Sequence, residues 1–259
     1  MKILNRTWLL PVLTALLVCF AIFPAQAEIL TSETSMSVCN RVAPMLEMEL
    51  SELGVELGNP IFIRIFKESQ ELELWVQQDE EYQLFKTYRI CSLSGKLGPK
   101  LREGDEQSPE GFYSVSERQL NPNSHYHLSF DIGFPNTYDK LHGRTGSALM
   151  IHGDCISVGC FAMTDSRIEE IYTLAQEALR NGQRFFRVHI FPFRMTEANM
   201  RKHKNSNWLS FWKNLKEGYD YFEKTKMPPQ IDVVGKKYVC APDYTETAKN
   251  QRKINKTYN

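Results

Sequence analysis

Within residues 150–165, MIHGDCISVGCFAMTD, His152 stands eight positions ahead of Cys160, with Cys155 between them. Three chemistries fit a histidine and two cysteines at that spacing. In the first, a thiolate attacks a carbonyl carbon, which requires a neighbouring base or a depressed thiol pKa. His152, at the end of the apolar run ALMIH (148–152), would be the base, and Ser157-Val158-Gly159-Cys160 the turn that presents the thiol. Gly159 permits a tight backbone there, and the amides beside Cys160 would face a developing oxyanion. A helix starting near Ser166 would bring its positive end close to the thiol and lower its pKa. The second chemistry is a zinc site with His142, His152, Cys155 and Cys160 as ligands, although the spacing lacks the tight paired knuckles of structural zinc sites. The third is a Cys155–Cys160 disulfide, a small loop whose closure would silence the nucleophile. Spacing alone leaves all three open.

The elements that must position these residues are mostly strands. From Ile61 the apolar period is two: IFIRIFK, ELELWVQ and EYQLFKTYRI alternate and are separated by polar breaks, which predicts an antiparallel meander. SGKLGPKLREGDEQSPEG (94–111), rich in Gly, Pro and charge, predicts a long loop. FYSV (112–115), ALMIH and FRVHIF (186–191) predict further strands. The clearest helix begins at Ser166. Ser166 with Glu169 fits a capping box, Ile168, Ile171, Leu174, Ala175, Ala178 and Leu179 make one apolar face, and Gly182 is the stop. Upstream, Val42, Met45, Leu46, Met48, Leu50 and Leu53 predict a helix in 28–58 that packs on the main domain. After Pro192, helices are predicted at about 196–204 and 207–217, then a small hairpin of QIDVV and KYVCA around Gly235-Lys236. The polar tail from Asp243 predicts disorder.

The chain has 259 residues, enough for one large domain with appendages. Lys plus Arg and Asp plus Glu both number 31, a balance that excludes nucleic-acid binding by bulk positive charge. Lys2 and Arg6 precede an apolar run from Leu9 to Phe23 and then Ala25-Gln26-Ala27, the pattern of a secretory signal peptide cut after Ala27. As a helix that run would rise only about 22 Å, short of the roughly 30 Å hydrocarbon layer, so no membrane span is expected in the mature chain. Val18 before Cys19 is too bulky for a lipoprotein signal. Export leaves Cys39, Cys91, Cys155, Cys160 and Cys240, an odd number, so at least one thiol is unpaired in an oxidising compartment.

The stretch MIHG…SVGC resembles the signature of the YkuD-type L,D-transpeptidases, in which an I-H-G strand leads to an S-H-G-C turn. IFIRIFKESQELELWVQQDEEYQLFKTYRI resembles the opening hairpins of that domain, GDEQSPEGFY its T-P-x-G-x-F segment, and IGFPNTYD its Y-P-N-x-x-D-like stretch. With FPFRMTEANM after the helix, 60–225 is similar to the YafK-like branch of the family. The ordered set of motifs is more specific than any one of them.

The resemblance implies a mainly β fold, an L,D-transpeptidase/YkuD-like β-sandwich with flanking helices. It divides the chain into a signal peptide (1–27), an N-terminal helical segment (28–58), a catalytic-type domain (59–194), a helical extension with a small hairpin (195–242) and a disordered tail (243–259). It makes Cys160 the nucleophile, His152 the general base, Ser157 a supporting residue and Gly159 the oxyanion turn. The implied chemistry is acyl transfer on diamino-acid-containing peptidoglycan stem peptides in the periplasm or at the wall, with no metal or organic cofactor. A wall-anchored lipoprotein is a further partner expected on this basis. Two alternatives stand beside transfer: hydrolysis that releases wall-attached protein or peptide, and a non-catalytic peptidoglycan-binding module. Val158 stands where most members have His, and a backbone carbonyl would then orient His152. Ala162 stands where many have Arg, which makes Arg144 and Arg194 the candidates for the substrate carboxylate. The segment between His152 and Cys160 is also shorter than usual in the family.

Overall fold

A computed structural model describes residues 29–241. The signal segment with its cut after Ala27 and the tail from Asp243 lie outside the described residues. Strand β1 (Ile61–Phe66) is buried at every position, as its sequence IFIRIF demands of a strand covered on both faces. It pairs antiparallel with β2 (Glu71–Gln78), which pairs antiparallel with β3 (Glu81–Arg89), so the expected meander holds for these three. The next strand, β4 (Gly111–Val115), does not continue it. The other side of β1 is taken by β9 (Phe186–Phe191), parallel to β1, with β4 antiparallel beyond it, giving the order β3-β2-β1-β9-β4. FRVHIF wins that central place because it too is apolar on both faces. Ile63 and Val188 point into the main core, and Phe62 and Phe191 into two smaller clusters beneath helix α5 (Leu209–Thr225).

A second sheet holds β5 (Leu120–Asn121), β6 (Ser129–Asp131), β7 (Met150–His152) and β8 (Phe161–Ala162), in that order. Phe130, Ile151 and Phe161 are fully buried in the same main core as the inner face of the first sheet. The two sheets therefore close on one another as a sandwich, with helices α1 (Glu33–Glu52) and α3 (Asp165–Arg180) completing the core. The fold is mainly β with flanking helices.

Helix α1 buries Val38, Cys39, Val42, Leu46 and Leu50, one face at a spacing of four, and leaves Met45 and Met48 exposed. Helix α3 buries every apolar position expected of it, but its start differs from the sequence expectation. It begins at Asp165, after Thr164 at φ 77°, and the Ser166–Glu169 capping box does not form. Glu169 instead accepts from His127 and pairs with Arg41 of α1, so a contact between elements outcompetes the local cap. Short helices α2 (Thr137–Leu141) and α4 (Glu197–Lys202) follow Asn136 and Thr196 caps. Helix α5 runs past the expected end at 217 because Gly218 lies against the ring of Phe112; a Cβ there would come within 2.6 Å of Phe112 Cζ. The glycine permits close packing and does not end the helix. Strands β10 (Gln230–Val234) and β11 (Lys237–Ala241) form the expected hairpin.

The long loop of residues 94–111 is organised by a buried ion pair. Lys67 Nζ donates to the carbonyls of Lys96, Gly98 and Ser108 and to Glu110 Oε1 at 3.0 Å. Glu110 Oε2 accepts from Trp212 Nε1 of α5 at 2.8 Å. Burial pulls the Lys67 ammonium below its ordinary pKa and Glu110 opposes that shift. A charge pair removed from water holds only when its remaining donors and acceptors are filled, as they are here.

Candidate active site

Strand register places the chemistry-bearing residues on one sheet face. Asp131 of β6 lies opposite Met150 of β7, and the parallel pairing of β7 with β8 sets Met150 beside Cys160, one residue before the strand. Two residues along, Ser129, His152 and Ala162 form the next row on that face. Residues in register share a face and residues two apart return to it, so His152 and Cys160 are diagonal neighbours on the face turned away from the main core. Phe130, Ile151 and Phe161 occupy the other face and anchor the sheet.

The Cys160 thiol donates to the Ala148 carbonyl at 3.6 Å and Sγ accepts from the Met150 amide at 3.4 Å. Its pKa is raised, first by burial; the nearby Asp131 charge pushes the same way, while the Met150 amide and Lys100 oppose. The expected lowering by the α3 terminus is therefore overridden by desolvation. The carbonyl of Cys160 accepts from Ser157 Oγ at 2.7 Å and from Ser108 Oγ at 3.4 Å. Ser157 thus pins the turn, and Gly159 has φ 112°, a backbone region that disfavours a side chain.

His152 is buried, its ring lies 4.7 Å from that of Tyr126, and Nδ1 is 2.6 Å from the Gly153 carbonyl. A carbonyl only accepts, so the proton sits on Nδ1 and Nε2 carries the lone pair. Burial lowers the imidazole pKa, with Gly153 and Asp154 opposing. Thiol and imidazole are therefore both neutral at rest. Gly153 occupies its place because a Cβ would meet the Tyr126 carbonyl at 2.7 Å. Val158 is 67% exposed, and the carbonyl of Gly153 meets the imidazole, a backbone group in the orienting role as expected. Ala162 is fully buried in the ladder opposite His152.

Cys155 is bonded to Cys91, with Cα atoms 5.3 Å apart. That link overturns the Cys155–Cys160 alternative and takes Cys155 out of the zinc set. It ties the loop after His152 to the segment that follows β3, which continues along β8 through Cys91 and Ser92 amides to the Ala162 carbonyl. Three thiols stay free among the described residues: Cys39, Cys160 and Cys240. Cys39 is buried, accepting from Gln176 Nε2 at 3.2 Å, and burial pushes Cys240 up to about 12.

The two arginines expected at the substrate carboxylate have protein partners. Arg144 is buried, pairs with Asp139 at 2.7 Å and lies over the rings of Tyr138 and Phe211. Arg194 pairs with Glu71 and Glu73 and stacks on Phe66, on the first sheet's face turned away from the main core. Cys160 faces the opposite side of the sandwich, so the structure does not bring Arg194 to it. Sequence reasoning missed Ser108, Tyr126 and Asp131 as neighbours of the dyad. The SPEG motif contained Ser108, while the other two become neighbours only through strand register and loop packing.

Residues 60–190 match the L,D-transpeptidase catalytic domain, YkuD, and the chain belongs to that family. It is a peptidoglycan-associated enzyme of the YkuD type, in the YafK-like group. The YafK protein of Escherichia coli (strain K12), which carries an L,D-transpeptidase name, is 55% identical over 185 residues, 71% of this chain and 75% of that protein. The same figures hold for YafK of Escherichia coli O157:H7. Among solved structures, the chain is similar to the helical cell shape determining protein Pgp2 from Campylobacter jejuni (18% identity, TM-score 0.41, covering 72% of this chain and 79% of that one). It is also similar to Bd1075 of Bdellovibrio bacteriovorus (23% identity, TM-score 0.36, covering 64% and 61%). No helix among the described residues is long and apolar enough to cross a membrane.

Proposed function

We propose that this protein is a cysteine-nucleophile acyltransferase acting on diamino-acid-containing peptidoglycan stem peptides at the cell wall. The observation that carries the proposal is the free Cys160 thiol set diagonally from a His152 whose Nδ1 is fixed by the Gly153 carbonyl. The disulfide of Cys155 to Cys91 supports it, since it leaves Cys160 as the thiol of the turn.

The steps follow from two groups that rest neutral. As Sγ attacks the carbonyl carbon after the L-centre of the diamino acid, the S–H proton passes to Nε2 of His152. The Gly159–Cys160 turn presents amides to the oxyanion that forms. Collapse breaks the C–N bond, and the departing amine takes the proton from Nε2. The thioester on Cys160 then meets an amine, whose proton passes to Nε2 while the C–S bond breaks and the thiolate is reprotonated. Water in place of the amine gives hydrolysis.

Mass spectrometry of wall fragments after incubation with the enzyme tests this. New cross-links mean transfer, and released peptide or protein means hydrolysis. No change in the fragments, with the protein folded and reduced at Cys160, would contradict both and leave a non-catalytic wall-binding module. Cys160→Ala is expected to abolish turnover and Cys155→Ala to retain it.

A further inference from the structure

Beside the nucleophile lies a groove of about 530 Å³ that begins at Met150, the row neighbour of Cys160, and continues past Asp131 to Arg118 and Lys140. Asp131 is half-buried. Its Oδ1 accepts from the Gly133 amide at 2.7 Å, and among the described residues no cation pairs with it. Arg118 and Lys140 are exposed at the rim, and neither pairs with a carboxylate among the described residues. A carboxylate kept partly out of water without a counter-charge is destabilised. Burial does raise its pKa, and only the Gly133 amide opposes.

From the row Asp131–Met150–Cys160 and the charges along the groove, we propose that this groove is the subsite for the far end of the donor's diamino acid, with Asp131 accepting from its ammonium and Arg118 and Lys140 facing its carboxylate. This rests on the acyl-transfer proposal above. The dimensions agree. Strands lie about 4.8 Å apart, so two steps across the sheet separate the Asp131 and Cys160 backbones by roughly 10 Å. From an acylated carbonyl carbon to the ω-amine of a seven-carbon diamino acid runs a chain of six single bonds, about 7.5 Å extended, and the side chains of Cys160 and Asp131 span the remainder. The subsite gives substrate selection to a site where Ala162 carries no charge, while Arg144 is paired with Asp139 and Arg194 lies on the other sheet.

The test compares two stem tetrapeptides that differ only in whether the ω-amine is free or acetylated. In the wild type the free amine is expected to be preferred by about 10- to 100-fold in kcat/KM, the range of one charge-assisted hydrogen bond. Asp131→Asn, which keeps an acceptor for the Gly133 amide, should bring that ratio close to one. Because the ratio is taken within each enzyme, any change in thiol reactivity cancels. In a third peptide amidated at the far carboxylate, the wild type should lose preference that the Arg118→Met/Lys140→Met protein never shows. A wild-type ratio near one, or a ratio that Asp131→Asn leaves intact, overturns the subsite while the proposed reaction stands. If neither peptide is turned over, calorimetry on Cys160→Ala decides. Tighter binding of the free amine, lost on adding Asp131→Asn, retains the subsite and removes only the reaction; equal binding overturns the subsite.

Discussion

Replacing Cys91 and Cys155 together by alanine should destabilise the protein strongly without removing the proposed nucleophile. The disulfide spans a sequence separation of 64 residues, running from the end of the meander to the loop between His152 and Cys160. Chain-entropy bookkeeping for a loop of that length gives about 4 kcal/mol at 25 °C. For a domain of this size that corresponds to a fall in Tm of roughly 8 to 16 °C. Calorimetry or circular dichroism on the oxidised wild type, the reduced wild type and the double variant measures it. The reduced wild type and the double variant should unfold together, well below the oxidised protein. Turnover should persist in the variant below its own Tm, because Cys160 and His152 are held by β7, β8 and Ser157. A shift below about 1 kcal/mol would show that the 153–159 loop needs no covalent tie, and a non-reducing digest linking Cys155 to Cys160 would refute the pairing outright.

Three further expectations concern the framework and the pH response. Breaking the buried pair with Glu110→Gln should cost about 3 to 5 kcal/mol in denaturant titration, and Lys67→Met with Glu110→Leu should cost less than the single change. Among the described residues neither buried ring nitrogen of His189 has a partner, and Phe62, Phe112 and Phe191 surround the ring, so His189→Phe should stabilise by about 1 kcal/mol at pH 7. Burial holds the His189 pKa well below its ordinary value, so the unfolded chain takes up the proton first as pH falls below about 6.5. Stability is then lost at up to about 1.4 kcal/mol per pH unit in the wild type, and the His189→Phe protein should lose that share of its acid sensitivity. Alkylation of Cys160 should accelerate as pH rises past the ordinary thiol range, since burial lifts its pKa, and a reactive plateau already reached at pH 7 would contradict the neutral resting pair.

The parts of the fold written as apolar periods were legible. IFIRIF and FRVHIF were legible as strands, though not as central ones, and the α3 face from Ile168 to Leu179 is buried as its spacing requires. Where two physical claims compete for one residue, sequence favoured the local one. Ser166 and Glu169 spell a cap, yet Glu169 is drawn to His127 and Arg41 across the structure. The helix expected to end at 217 continues through Gly218, whose missing side chain makes room for Phe112. The insertion of β9 between β1 and β4 is a long-range pairing that no local window contains. At the site, the positions of His152, Ser157, Gly159 and Cys160 were singled out by motif and turn chemistry. Asp131 was not, because only the register of β6 on β7 brings it into the row of Cys160. The partner of Cys155 was equally hidden, since pairing with Cys91 depends on where the end of the meander passes β8.

The most direct test of the account is the intact mass of the wild-type protein, with Cys160 reduced, after incubation with a carbapenem, whose strained amide offers a carbonyl to a reactive thiol. The account predicts a single adduct that maps to Cys160, forms in Cys155→Ala, is absent in Cys160→Ala and forms more slowly in His152→Ala. An adduct on Cys39 or Cys240, no adduct on the folded wild type, or an unchanged rate in His152→Ala would contradict it.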